Sequence, residues 1–169
     1  LRAKAHVGVD AAPAAADEKA PLSLLGHAAQ KGHEAIVRIL VETKGVDVNE
    51  DATTPTRDTP LGLAAAAGNS QVVRVLIERG ADCARGRRDG MTPLMRAARA
   101  GHDGVVHELL KALKLIDIDA KRPKDGQSAL SLAKKNGEDV LVAMLRSRGA
   151  TDEVEAPAQE RPRNGGVIS

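Results

Sequence analysis

The chain has 169 residues, 25 basic against 23 acidic, a single cysteine and no Phe, Tyr or Trp. That length suits one ordinary domain, and the lack of aromatic rings, on which a conventional core usually draws for buried area, favours thin layers of Ala, Val, Leu and Ile. A formal charge of +2 does not call for a polyanionic partner, Cys83 alone rules out an internal disulfide and a multi-cysteine zinc site, and no apolar run of the sequence approaches a membrane span.

Residues 1–20 are alanine-rich, are broken by Pro13 and carry no sustained helical stripe. The string Val7, Gly8, Val9, Asp10 is spelled similarly again at Gly45, so the segment reads either as the end of a truncated preceding unit or as a disordered linker. The chain opens on Leu1 and is expected to be a piece of a longer protein. Beyond it a pattern recurs. Residues 59–68, TPLGLAAAAG, return thirty-three residues later as 92–101, TPLMRAARAG, with weaker copies at 23–32, SLLGHAAQKG, and 128–137, SALSLAKKNG. A period in the thirties predicts a solenoid of stacked units. Each glycine is followed by a run with apolar residues at helical spacing, at 33–41, 69–77, 102–110 and 138–145.

Each unit is therefore expected as helix, glycine turn, helix, stop and extended finger. The units fall near 21–53, 54–86, 87–122 and 123–152, ahead of a disordered tail over 153–169. Two registers fit the first unit, one starting at Pro21 with an insertion and one aligning Ser23, Leu24 and Leu25 on Gly32. In the second, Thr59 caps a helix opening on Pro60, and Leu61, Leu63, Ala64 and Ala65 face the stack with Val72, Val73, Val75 and Leu76. The second helix of the third unit has no glycine stop and is expected to run to about Leu115. In the fourth, Asp125 and Gly126 predict a hairpin turn. There Lys134 and Arg146 give the outer face the polarity of a terminal cap, on which nothing after residue 152 packs. Aligning the units sets Arg96 where others have Leu63 and Leu132, and Glu108 where others have Ile39, Val75 and Met144. The two are expected to pair with each other or to reach solvent along their aliphatic stems, with pairing favoured.

The succession TPL, paired alanine, G-H or G-N, VV with a leucine-rich run and GAD resembles the ankyrin repeat, over about 21–152 and most strongly in the second and third units. The resemblance implies an all-α solenoid of stacked antiparallel helix pairs with β-hairpin-like fingers. It also implies binding of a protein partner through finger tips and the concave helix face, while an enzyme would need convergent titratable groups that the sequence does not offer. Carried over to this chain, the contacting positions are Thr56, Asp58, Ala66 and Ala67, then Arg88, Asp89, Met91 and Arg99, then Lys124, Asp125, Gln127 and Lys135. His33 and His102 take the position of a structural hydrogen bond near the turn, and Cys83 fills a place where the family has valine. Arg57 stands where the family has glycine in the finger tip, which bears on that hairpin's turn geometry.

No phosphate-binding glycine loop, G-x-S-x-G elbow or H-E-x-x-H helix occurs, and the histidines do not converge, so no catalytic, cofactor-binding or metal-ligating residue is expected. The prominent cluster is basic. Between residues 74 and 99 stand Arg74, Arg79, Arg85, Arg87, Arg88, Arg96 and Arg99 against Glu78, Asp82 and Asp89. This is either a solvated finger face or an electropositive patch for an acidic protein segment, because arginine forks pair with carboxylates and phosphates. Nucleic acid is disfavoured for want of aromatic stacking platforms. The expected interface is Arg85, Arg87, Arg88, Asp89, Met91, Arg99, Lys124, Gln127 and Lys135, in a monomer of a reducing compartment, cytoplasm or nucleus. A structural spacer within a longer array is the competing reading.

Overall fold

The computed structural model describes residues 23–51, 56–113 and 118–151. The expectations for 1–20, for 153–169 and for packing by residues after 152 lie outside them. Four helix pairs follow one another: α1 (Leu24–Lys31) with α2 (Glu34–Glu42), α3 (Pro60–Ala67) with α4 (Ser70–Glu78), α5 (Pro93–Ala100) with α6 (Asp103–Ala112), and α7 (Ala129–Lys135) with α8 (Asp139–Ser147).

Each first helix begins on a hydroxyl. Ser23, Thr59, Thr92 and Ser128 accept a backbone N–H from Gly26, Gly62, Met95 and Ser131, satisfying a donor that the helix start leaves unpaired. The cap at Ser23 fixes the first unit in the register aligned on Gly32. Pro60 and Pro93 occupy the first helical position, where a missing N–H costs nothing. Gly32, Gly68 and Gly101 end α1, α3 and α5 in the left-handed conformation, which reverses the chain into the second helix.

The first helices stack in one row, α1 on α3 on α5 on α7, and the second helices in another behind it. Small residues permit this close approach. Ala28 and Ala29, Ala64 and Ala65, Ala97 and Ala98, and Ala133 are buried, and Leu61, Leu63, Val72, Val73, Val75 and Leu76 are buried with them as expected. Lys134, where the other units have the second alanine, is exposed at the far end of the described stack. The second helices end in two ways. After α4 and α8, Gly80 and Gly149 take φ 85° and 91°, whereas α2 and α6 stop at extended residues, Thr43 and Leu113. Helix α6 thus ends at Ala112, short of the expected Leu115: with ψ 144°, Leu113 leaves the helical path and packs against the core.

The fingers correct the sequence expectation. Among the described residues there is no β-strand, and the fingers are turns and extended segments rather than hairpins. Two backbone bonds close each turn and no ladder follows: Arg87 N–H to Met91 C=O at 3.0 Å with Gly90 N–H to Arg87 C=O at 2.8 Å, and Arg122 N–H to Gln127 C=O at 2.9 Å with Gly126 N–H to Arg122 C=O at 2.8 Å. The next donors are taken by side chains, Met91 N–H by Asp89 and Gln127 N–H by Asp125. Asp and Asn side chains that bond the backbone two residues on compete with a ladder, and here they replace it. The turn itself is constant: Gly90 and Gly126 have φ 78° and 66°, and Arg57 keeps the same left-handed backbone at 51°.

Candidate functional site

The site grows from the second and third fingers. Past Gly80, Asp82 Oδ1 accepts the N–H groups of Ala84 and Arg85, and Asn49 of the preceding unit braces the segment by accepting from Asp82 N–H at 2.7 Å. Arg85 then reaches back one unit, donating to Asn49 C=O at 3.1 Å and pairing with Asp51 at 2.9 Å. Asp51 also takes Arg57 at 2.8 Å. Arg88 N–H bonds Thr56 C=O at 3.2 Å and joins the two fingers. Arg57, Arg85, Arg87 and Arg88, with Asp51 and Gly86, line an open pocket of about 160 Å³.

A second charge set lies beneath. Asp58 is buried at 8% exposure, accepts from Thr56 Oγ1 at 2.9 Å, and takes Arg96 in a short ion pair and Arg87 at 3.4 Å. Burial pushes the Arg96 guanidinium below its usual pKa, Asp58 opposes that shift and the neighbouring Arg87 adds to it. The row continues along the fingers through Asp89, 3.7 Å from Arg122, to Asp125, 3.1 Å from the same arginine. Beside it, Ala66, Arg87, Met91, Arg96, Arg99 and Ala100 line a concave groove of about 140 Å³.

The structure brings Arg85, Arg87 and Arg88 into one pocket, and Arg87, Met91 and Arg99 into the groove beside it. Met91 is 4% exposed and contributes little more than an edge. Asp58 is buried, Thr56 and Ala66 are half-buried, and Ala67, Asp89, Lys124, Asp125 and Lys135 are exposed. Lys124, Gln127 and Lys135 belong to the fourth unit, away from the arginine pocket. Arg88 and Arg99 are exposed and have no side-chain partner among the described residues, whereas Arg85 and Arg87 are already paired.

Arg96 and Glu108 do not pair. Arg96 turns to Asp58, Glu108 bonds Lys111 at 3.1 Å, and the two line different grooves, concave and outer. The in-unit alignment failed because the first helix presents Arg96 to the preceding finger, not to its own second helix. Arg57 and Asp51 are the pocket residues that sequence reasoning missed; the signal was the arginine in a glycine position. His102 makes its expected structural bond, Nε2 to Ala66 C=O at 3.2 Å, and Asn69 does the same to Ala29 C=O at 2.9 Å. His33, at the start of the described stack, is exposed. No group of three or more His, Cys, Asp or Glu among the described residues is placed to hold a metal ion, and no helix of theirs is long and apolar enough to cross a membrane.

The family described as ankyrin repeats (3 copies) matches residues 7–86, 25–122 and 83–156. The chain is 39% identical over 147 residues to the ankyrin repeat and KH domain-containing protein mask-1 of Caenorhabditis elegans, covering 85% of this chain and 6% of that protein. It is 37% identical over 100 residues to the ankyrin repeat and KH domain-containing protein mask of Drosophila melanogaster, covering 59% and 2%. Identity to the transient receptor potential cation channel subfamily A member 1 homolog of C. elegans is 33% over 115 residues, covering 67% and 9%. The chain therefore spans at most 9% of the length of these relatives.

Proposed function

The chain belongs to the ankyrin-repeat family, and from that premise we propose that it binds an acidic segment of a partner protein across its second and third fingers and the adjoining ends of α3 and α5. A protein-interaction role, not a catalytic one, follows from the family. The observation that carries the finer reading is the concave groove, where exposed Arg99 stands beside Ala66, Met91 and Ala100 with Arg88 at the next finger tip. Rigid stacking holds these side chains in place, so little conformational entropy is lost on binding. The partner engages one copy of the chain.

The internal pairs Arg85–Asp51 and Arg96–Asp58 favour a second reading, a spacer whose arginines tie one unit to the next. Affinity capture with the chain and with an Arg88→Ala, Arg99→Ala variant separates the two, because neither side chain holds the fold together. Binding lost in the variant and at raised salt supports the interface; capture that is identical in both proteins and at both salt concentrations overturns it.

A further inference from the structure

We propose that the pocket between the second and third fingers receives a phosphorylated side chain of the partner polypeptide, an inference that rests on the protein-binding reading above. The lining sets Arg57, Arg85, Arg87 and Arg88 against the carboxylate of Asp51, and from outside the lining Asp58, which also holds Arg96, and Asp89 draw on Arg87 at 3.4 and 4.0 Å. One partner carboxylate leaves part of the remaining positive surplus unbalanced. A phosphomonoester brings a charge of about −1.5 to −2 and three acceptor oxygens, which suits several guanidinium forks at once. Asp51 pre-arranges two of them, one oxygen holding Arg85 at 2.9 Å and the other holding Arg57 at 2.8 Å.

The backbone at Arg57 points to the same pocket independently. The equivalent finger positions are Gly90 and Gly126, with φ 78° and 66°, and Arg57 adopts φ 51° in their place. A side chain in the left-handed region is strained, and strain of this kind is concentrated where a side chain serves a site. Here it delivers a guanidinium to the pocket rim. The ligand is part of a polypeptide because Arg87 is shared with the neighbouring groove of Ala66, Met91, Arg96, Arg99 and Ala100. A chain that seats its phosphate in the first pocket runs its next residues, small or acidic, into the second.

The test is binding of the full chain to three degenerate peptide libraries that differ only in a central phosphoserine, serine or glutamate, together with a titration of inorganic phosphate followed at the arginine Nε–H resonances. Phosphoserine peptides are expected to bind about tenfold or more tightly than the other two, and Arg57→Gly to remove that preference. Glycine fits this turn in the two following fingers, so an unchanged melting profile shows that the loss is not unfolding. Arg99→Ala weakens the peptides and leaves the phosphate titration unchanged. Equal affinity for the three libraries overturns the inference; if Arg88→Ala, Arg99→Ala still abolishes their binding, the protein-binding reading survives it. Inorganic phosphate bound without preference for the phosphoserine library, or retention on phosphoinositide vesicles alone, overturns the polypeptide assignment, and no response of the arginine resonances to any probe overturns the site.

Discussion

Asp58 shows how a residue acquires its importance from a neighbouring unit. Asp58 is 8% exposed and its carboxylate is shared by Arg96 and Arg87, so Asp58→Ala strips Arg96 of its ion-pair partner and leaves Arg87 only Asp89, at 4.0 Å. Breaking a pair of this kind costs about 3 kcal/mol, whereas replacing both partners with apolar groups is close to neutral. Urea unfolding is expected to show that Asp58→Ala, Arg96→Leu is more stable than Asp58→Ala alone, since Leu63 and Leu132 occupy the equivalent places. Glycines separate in the same way. Gly90→Ala combines a left-handed backbone with a clash against Pro123, while Gly126→Ala meets only the backbone cost, as nothing lies near it. The left-handed cost is about 1–2 kcal/mol in both, so the melting temperature of the Gly90 variant is expected to fall further. The Arg96–Asp58 contact was legible in principle: its partners are 38 residues apart, close to one period, and Arg85–Asp51 and Arg79–Glu42 are 34 and 37 apart. Pairing Arg96 with Glu108 inside one unit pointed the wrong way because Arg96 pairs with Asp58 of the preceding finger while Glu108 takes Lys111 on its own helix.

At the scale of the element, the helices were readable and the fingers were not. Hydroxyl caps, alanine pairs and left-handed glycines recur in sequence because each solves a local problem that every unit shares. Thr59→Ala and Thr92→Ala are each expected to cost about 1 kcal/mol, measured as a shift in the unfolding midpoint, because each removes the acceptor for one N–H at a helix start. The fingers obey different constraints. Their donors are divided between single backbone bonds, such as Arg88 N–H to Thr56 C=O, and the side chains of Asp82, Asp89 and Asp125. No alternation of apolar and polar residues marks that arrangement, so a family resemblance to hairpins could not reveal that strands are absent among the described residues. The end of α6 at Ala112 was missed for a similar reason: Leu113 continues the apolar pattern, but it reaches the core from an extended backbone.

At the scale of the whole molecule, the described residues form a stack with two unlike faces. On the outer side, Arg74, Ile77, Glu78, Glu108, Lys111 and Ala112 border a groove with mixed charge. The finger side carries the exposed Arg88, Arg99, Lys124 and Lys135, even though many of its arginines are neutralised internally. Attraction of an acidic partner to those exposed charges is screened over about 8 Å at physiological ionic strength, so the dissociation constant is expected to rise with added salt. The position of the interface is the account's central claim, and amide hydrogen exchange of the chain with and without a captured partner measures it directly. The account predicts slowed exchange in the third finger from Arg85 to Met91 and at the C-terminal ends of α3 and α5, with α4 and α6 unchanged. Slowing confined to α4 and α6, with the fingers unaffected, would contradict it.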